Sequence, residues 1–261
     1  IRIMNEIKVA LLQCPLHWED AEANRKAFES RFQKLEEVDI VFLPEMFSTG
    51  FSMNPQKLAE TMNGPTLKWM KTWSERLNCV LTGSLIIQEN QEYFNRLIWM
   101  EPDGRVRHYD KRHRFSYAGE HKEYTAGTER PTWEWKGWRI RPQVCYDLRF
   151  PVWSRNDDDY DLLYYVANWP ERRNHPWKSL LTARAIENMA YVVGLNRVGE
   201  DGNGVTHSGD SCVLDSVGEI VAEAKPSEEE VVYASLSKEH IKSTRERFQF
   251  LADRDDFEIK G

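Results

Sequence analysis

Short apolar runs alternate with amphipathic and polar segments along this chain, and such alternation predicts strands that alternate with helices. The predicted strands are residues 7–13, 40–43, 80–88, 95–101, 106–110, 139–145, 162–167, 191–196, 211–215, 220–224 and 231–236. The predicted helices are residues 19–37, 66–77, 177–189 and 237–247. Repeated β-α-β units with interspersed hairpins predict an α/β fold, in which helices lie outside mixed sheets.

Turn and cap residues support several of these boundaries. Pro65 stands at the start of the predicted helix 66–77, where a missing N–H costs nothing. A Pro-Asp-Gly turn, residues 102–104, joins two predicted strands as a hairpin. Trp69 and Trp73 are four residues apart, which predicts that they share one face of that helix. The pattern alone does not distinguish a three-layer α/β fold from a deeper stack of layers.

A cysteine stands at the end of one predicted strand. Cys145 ends the strand 139–145 and precedes a polar turn that Pro151 closes. Free backbone N–H groups at such a position favour a thiolate and can bind a developing oxyanion. The alternative is a small buried hydrophobic residue, as most free cysteines are. Cys145 is therefore a candidate nucleophile that needs partners.

Two charged residues follow other predicted strands. Glu45 comes directly after the apolar strand 40–43 and Pro44, and Lys111 comes directly after the strand 106–110. Sheets in α/β folds place their sites at strand ends. Taken alone, Glu45 could cap the next turn, and the basic run around Lys111 could be a solvated face. Together with Cys145, they would supply a base, a fixed cation and a nucleophile.

Composition excludes several classes of protein. A net charge of −7 argues against nucleic-acid binding, which depends on a positive surface. No apolar run approaches the roughly 18 residues that span a membrane, and no charged-then-apolar leader opens the chain. The cysteines are widely separated without a C-x-x-C pair, which favours a reducing, cytoplasmic location. Since no linker, repeat or low-complexity segment interrupts the chain, we expect a single domain over residues 1–261.

Three motifs resemble, in the same order and at similar spacing, the signatures of the nitrilase superfamily of carbon–nitrogen hydrolases. They are Leu43-Pro44-Glu45, Asp110-Lys111 and the segment from Val144 to Pro151 that contains Cys145. Further matches are residues 119–121 and 124–127, 167–170, 177 and 183–188, 196–199, and 207–210 with 215. The loop 45–51 and the Gly-Glu-His and Asn-Trp-Pro triplets are similar to the bacterial omega-amidase branch. Each motif is weak alone, but their common order over most of the chain is specific.

The resemblance implies a four-layer α-β-β-α sandwich with two mixed sheets, no metal and no organic cofactor. Cys145 would attack an amide carbon after Glu45 accepts its proton, and the charge of Lys111 would favour the thiolate. Lys111 and the backbone N–H of Tyr146 would hold the oxyanion. Glu45 would then protonate the departing ammonia and activate water to hydrolyse the thioester.

A second glutamate is implied beside the lysine. Glu120 is similar to the family's second glutamate, which supports the lysine, and Glu123 is the rival position. We prefer Glu120 because Tyr124 and Gly127 fall at the offsets expected from it. Two glutamates around one lysine would also help to keep Lys111 protonated.

The omega-amidase branch acts on the terminal amide of 2-oxo dicarboxylic acid monoamides, such as 2-oxoglutaramate or 2-oxosuccinamate, which carry a carboxylate at the other end. Arg149 could bind that carboxylate through two parallel hydrogen bonds. Alternatively, Arg149 pairs with Asp147 and braces the turn after the cysteine. Phe51 and Trp169 stand where the family's pocket walls lie.

Three alternatives and one assembly state complete the expectations. A nitrilase-superfamily relative could instead take nitriles, N-carbamoyl compounds or other aliphatic amides, and a catalytically inactive chain could serve as a binding module. A Cys-His hydrolase would use His113 or His175, although neither belongs to a second motif. The resemblance also implies a homodimer, with residues 151–153 and the helix 177–189 as contacts, because aromatic anchors suit interface cores.

Overall fold

The structure, a computed structural model, describes residues 4–260 and contains two six-stranded mixed sheets and a small two-stranded sheet. The strands are β1 (Glu6–Gln13), β2 (Ile40–Phe42), β3 (Val80–Glu89), β4 (Glu92–Met100), β5 (Val106–Asp110), β6 (Trp133–Trp135), β7 (Trp138–Val144), β8 (Leu162–Ala167), β9 (Tyr191–Asn196), β10 (Val198–Glu200), β11 (Thr206–Ser208), β12 (Cys212–Leu214), β13 (Ile220–Glu223) and β14 (Glu230–Ser237). The helices are α1 (Ala21–Phe32), α2 (Pro55–Leu58), α3 (Pro65–Leu77), α4 (Glu120–Glu123), α5 (Pro151–Ser154), α6 (Asn174–Asn188) and α7 (Lys238–Phe248). Single 3₁₀ turns cover Ser116–Ala118, Cys145–Arg149, Glu171–Arg173 and Phe250–Asp253.

Each large sheet has a parallel centre. The first has the order β14-β1-β2-β3-β4-β5, and β1, β2 and β3 are parallel. The second has the order β13-β12-β9-β8-β7-β6, and β7, β8 and β9 are parallel. The remaining pairs are antiparallel. The predicted mixed sheets are therefore confirmed.

The strand β1 shows how the layers are held together. Val9 and Leu11 belong to the core between the two sheets, whereas Ala10 and Leu12 belong to the core under α1 and α3. Because successive side chains of a strand alternate between its faces, one strand can serve both cores. On the other side of the molecule, α6 packs on the second sheet through residues such as Leu181. These contacts give the four-layer α-β-β-α sandwich that the resemblance implies.

Most predicted elements are present, with corrected ends. The helix predicted over 19–37 is shorter, because Asp20 caps its first turn by accepting a hydrogen bond from Ala23 N and the helix ends at Phe32. The prediction of one tryptophan face is confirmed, since Trp69 and Trp73 both lie 5.4 Å from the ring of Phe32. None of the helices within residues 4–260 is long and apolar enough to cross a membrane.

Several elements were missed because they are short. The strand β6, the hairpin β10–β11 and the helices α2, α4 and α5 each span three or four residues. A segment of that length completes hardly more than one period of either pattern, so periodicity cannot reveal it. One predicted end was also wrong: the strand β7 stops at Val144, and Cys145 has a φ of +43° that no strand residue adopts.

Candidate active site

The topology brings four chain segments together at one edge of the sandwich. In the first sheet, β5 runs in the same direction as β3 and β2, because two successive antiparallel pairings restore the direction. Residues that follow β2 and β5 therefore emerge at the same edge, which places Glu45 near Lys111. In the second sheet, Cys145 and Asn168 directly follow the parallel strands β7 and β8.

Lys111 is buried between two carboxylates. Its Nζ donates to Glu45 Oε1 at 2.8 Å and to both carboxylate oxygens of Glu120, at 3.0 and 2.9 Å. All three side chains are at most 1% exposed. Burial alone would lower the pKa of Lys111, but the charges of Glu120 and Glu45 outweigh burial and raise the pKa above its ordinary value. Lys111 is therefore a fixed cation.

The second carboxylate belongs to Glu120 and not to Glu123. Glu120 is the first residue of α4 and also accepts a hydrogen bond from the backbone N–H of Phe115. Burial raises the pKa of Glu120, and the charge of Lys111 opposes that rise. Glu123 lies one turn later, where its carboxylate accepts a hydrogen bond from Gln56 Nε2 at 3.1 Å. The structure thus places the preferred glutamate against Lys111.

Two asparagines that the sequence did not single out hold the Glu45 carboxylate. Asn95 Nδ2 donates to Glu45 Oε1 at 2.8 Å and to Glu120 Oε1 at 3.2 Å. Asn168 donates from its backbone N to Glu45 Oε2 at 2.9 Å and from Nδ2 to the Glu45 carbonyl at 2.6 Å. With Lys111, these donors fix both oxygens of Glu45 in position. The Asn-Trp-Pro triplet was a signal for Asn168, whereas Asn95 lies inside β4 and carried none.

Asp147 braces the turn that carries Cys145. Its buried carboxylate accepts from Val144 N at 3.0 Å, from Tyr109 Oη at 2.7 Å and from His113 N at 2.9 Å. A non-glycine residue with positive φ, such as Cys145, is strained, and it persists where its surroundings fix it. The partners of Asp147 supply that constraint.

The contacts of Asp147 bear on two alternatives, the Cys-His hydrolase and the pairing of Arg149 with Asp147. His113 Nδ1 lies 2.8 Å from Asp147 Oδ1, and its ring stacks on Phe150 at 3.7 Å. His113 therefore supports the turn, while His175 is exposed on α6. Among the residues described, no ion pair joins Arg149 to Asp147, so the interpretation in which Arg149 braces the turn through Asp147 is wrong.

The surroundings of Cys145 disfavour ionisation of its thiol. Burial and the charges of Glu45 and Glu120 raise the pKa of Cys145 well above its ordinary value, although Lys111 opposes the rise. The charge of Lys111 favours the thiolate, as expected, but burial outweighs it first and the charges of the two carboxylates add to burial. Ionisation must instead be coupled to proton transfer to a base.

Cys145 opens onto a cavity of about 500 Å³ whose walls include Phe51, Tyr146, Arg149 and Trp169. The ring of Phe51 lies 5.1 Å from Lys111 Nζ, and the Arg149 guanidinium lies 4.9 Å from the centre of the Trp169 ring. Tyr146 is in the first turn of a 3₁₀ helix, where backbone N–H groups have no partner within the helix. The structure thus brings the predicted wall residues into one cavity with the cysteine.

Comparisons with known proteins agree with this geometry. The carbon–nitrogen hydrolase family model matches residues 8–246. The omega-amidase YafV of Yersinia enterocolitica is 49% identical over 97% of this chain and 99% of its own, and that of Escherichia coli K12 is 46% identical over 98% and 100%. The 2-oxoglutaramate amidase of Bacillus subtilis is 29% identical over 94% and 96%. The crystal structure of XC1258 from Xanthomonas campestris, a CN-hydrolase superfamily protein with an arsenic adduct in its active site, superposes with a TM-score of 0.96 at 44% identity and covers 98% of this chain and 100% of its own.

Proposed function

The chain belongs to the carbon–nitrogen hydrolase family and is a hydrolase of amide carbon–nitrogen bonds, and we propose that its reaction is that of an omega-amidase. It would convert the terminal amide of a 2-oxo dicarboxylic acid monoamide, of the 2-oxoglutaramate or 2-oxosuccinamate type, into the acid and ammonia. The observation that carries the proposal is the shared cavity of Cys145 and Arg149, since a nucleophile and a guanidinium there match the two ends of such a substrate. Full-length similarity to omega-amidases supports it.

We propose that Glu45 starts the reaction by taking the thiol proton of Cys145. The sulfur then bonds to the amide carbon, and the resulting oxyanion accepts hydrogen bonds from Lys111 Nζ and the backbone N–H of Tyr146. Glu45 returns the proton to the amide nitrogen, the carbon–nitrogen bond breaks, and ammonia leaves a thioester on Cys145. The raised pKa of the thiol makes the base essential to this step.

Hydrolysis of the thioester would use the same groups. Glu45 accepts a proton from water while the water oxygen bonds to the acyl carbon. The carbon–sulfur bond then breaks, and Glu45 returns the proton to the sulfur of Cys145. Because Asn95, Asn168 and Lys111 hold Glu45 from several sides, the carboxylate serves both half-reactions from one position. Glu120 would keep Lys111 charged and in place.

A substrate panel tests the proposed function. Ammonia release would be measured for 2-oxoglutaramate, 2-oxosuccinamate, a simple aliphatic nitrile and an N-carbamoyl amino acid. We expect the highest kcat/KM with the 2-oxo acid monoamides. A higher value for the nitrile or the carbamoyl compound would instead assign the chain to another branch of the family.

Arg149→Lys is expected to weaken hydrolysis of 2-oxoglutaramate. An ammonium cannot reproduce the two-pronged contact of a guanidinium with a carboxylate. The transition-state stabilisation that kcat/KM measures should therefore fall by about 1.5–3 kcal/mol. Pentanamide has a similar length and no carboxylate, and its hydrolysis should change far less. An equal loss on both substrates would mean that Arg149 acts through the structure of the site and does not bind the carboxylate.

We also propose that the chain is a single cytoplasmic domain that forms a homodimer. The described cysteines are free and buried, which suits a reducing compartment. The prediction that Trp153 contacts the partner is wrong, because its side chain packs within the chain. Trp153 is only 5% exposed, and its Nε1 donates to Tyr109 Oη at 2.9 Å. Apolar exposure near α5 and α6 comes instead from Val152, which is 54% exposed, and Ile186, which is 52% exposed.

Sedimentation at micromolar concentration should therefore give about twice the 30.7 kDa mass of the chain. Val152→Glu combined with Ile186→Glu should shift the distribution towards the monomer, because charges disfavour an apolar interface core. The same double replacement at exposed polar positions, Lys71→Glu and Lys122→Glu, is the matched control. A wild-type chain that sediments only as a 30.7 kDa species would contradict the dimer.

A further inference from the structure

Arg172 and Arg173 line the cavity with Arg149, and Arg173 is the more buried of the two. Arg173 ends the 3₁₀ turn that follows the Asn-Trp-Pro triplet, and its half-buried side chain lines the same cavity. Its guanidinium lies 5.1 Å from the centre of the Phe115 ring. Its backbone carbonyl accepts a hydrogen bond from Trp169 Nε1 at 2.6 Å. Because Arg149 rests on the ring of Trp169, this hydrogen bond links the two arginine positions.

The two guanidinium groups act on each other electrostatically. Burial, together with the charges of Arg172 and Arg149, lowers the pKa of Arg173, and Cys145 is near enough to oppose that shift. Across residues 4–260, neither Arg149 nor Arg173 forms an ion pair. Like charges that share a half-buried cavity without a counter-ion repel each other, so a bound anion would relieve an existing cost.

The acidic residues of the cavity wall are already engaged. Glu19 accepts hydrogen bonds from Ser52 Oγ at 2.7 Å and from Lys57 Nζ at 3.3 Å. Asp201 Oδ1 accepts from the backbone N–H groups of Asn203 at 2.8 Å and Val205 at 3.0 Å. The arginines of the cavity wall, Arg149, Arg172 and Arg173, therefore give the cavity an excess of positive charge.

We propose that Arg173 and Arg149 form a clamp that binds the substrate carboxylate between two guanidinium groups. The inference rests on the proposed function and names a further specificity-determining residue for it. A 2-oxo acid places a carboxylate and a neutral carbonyl in the clamp, and both accept hydrogen bonds from guanidinium N–H groups. A 2-amino acid would place an ammonium beside two fixed cations. Arg173 thus favours a 2-oxo acid amide over glutamine.

The test compares Arg173→Gln with the wild type on three amides, namely 2-oxoglutaramate, glutamine and pentanamide. For 2-oxoglutaramate, kcat/KM should fall about 10- to 100-fold, because the hydrogen bond from Arg173 to the substrate carboxylate is lost. The loss should appear mainly as a higher KM, since this bond is made in both the ground state and the transition state. Pentanamide hydrolysis should change little. The ratio of kcat/KM for 2-oxoglutaramate to that for glutamine should also fall, since the repulsion of the ammonium is relieved.

Two further variants separate contact from net charge. Arg173→Lys keeps the charge but not the planar fork, so it should retain only part of the discrimination. Lys122→Gln removes the same charge from an exposed residue that does not line the cavity. Its effect should be smaller than that of Arg173→Gln and should disappear at high salt, as screened surface charges do.

A binding measurement keeps the clamp distinct from the proposed function. Inhibition of pentanamide hydrolysis by 2-oxoglutarate reports carboxylate binding without 2-oxoglutaramate as substrate. Arg173→Gln should weaken this inhibition by the same factor by which it lowers kcat/KM for 2-oxoglutaramate. If the wild type prefers a nitrile but this inhibition still depends on Arg173, the function is wrong and the clamp stands. Equal losses on all three amides, or unchanged inhibition by 2-oxoglutarate, would overturn the clamp.

Discussion

Cys145→Ala is expected to abolish amide hydrolysis while the fold remains intact. The substitution removes the atom that would form the thioester, and loss of the nucleophile in a covalent hydrolase costs on the order of 10⁶-fold in kcat. The fold should tolerate it, because the turn is held by Asp147 and not by the sulfur. Ammonia release and a thermal melt check the two halves of this prediction. Full activity in the variant would eliminate the thioester mechanism.

Alkylation provides a control that does not depend on the substrate. Iodoacetamide should label Cys145 before Cys14, Cys79 or Cys212, because Cys145 opens onto the cavity beside Glu45, the base that would take its proton. The labelling rate should rise with pH, since the raised pKa of Cys145 limits the fraction of thiolate. Labelling of another cysteine first would contradict the exposure of Cys145 to the cavity.

Lys111→Met is expected to cost both activity and stability. It leaves Glu45 and Glu120 buried without their shared cation, and breaking a buried ion pair destabilises a protein by about 3–5 kcal/mol. Burial already raises the pKa of Glu120 above 4.5 with Lys111 opposing, so removal of Lys111 should raise it further. A carboxyl with a raised folded-state pKa stabilises the fold below its unfolded pKa, and this contribution is lost as pH rises through the folded value.

The deficit of Lys111→Met relative to the wild type should therefore grow from pH 5 to pH 8, as measured by denaturant unfolding. Lys111 itself contributes fully across that range, because its pKa is raised above the ordinary 10.5. Adding Glu120→Gln to Lys111→Met removes one buried negative charge and should recover part of the loss. A deficit that does not depend on pH would refute the buried-charge argument.

Residues at the ends of predicted strands were accessible from the sequence, and residues whose role depends on pairing were not. Glu45, Lys111 and Cys145 each stand at or just after the end of a predicted strand, and strands that run in one direction end at a common edge. Asn95 occupies a position within β4, so its contacts with Glu45 and Glu120 depend on how that strand pairs. Nothing local in the sequence distinguishes it from an ordinary strand residue.

The competition for Asp147 shows a second limit of sequence analysis. Arg149 is two residues away along the chain, which made it a natural partner for the carboxylate. Tyr109 and His113 reach the same carboxylate from a segment more than thirty residues earlier. The ionisation of Cys145 was likewise inaccessible, because it depends first on burial and then on the charges of Glu45, Lys111 and Glu120. Local neighbours suggest partners, whereas the topology decides among them.

The raised pKa of Cys145 also bears on how the enzyme withstands oxidants. Peroxides attack thiolates far more readily than thiols, and the resulting sulfenic acid can oxidise further to forms that are not reversed. A sulfur that loses its proton only during attack on an amide presents little thiolate between turnovers. Burial of Cys145 and the neighbouring carboxylates are therefore expected to slow oxidation of the sulfur between turnovers.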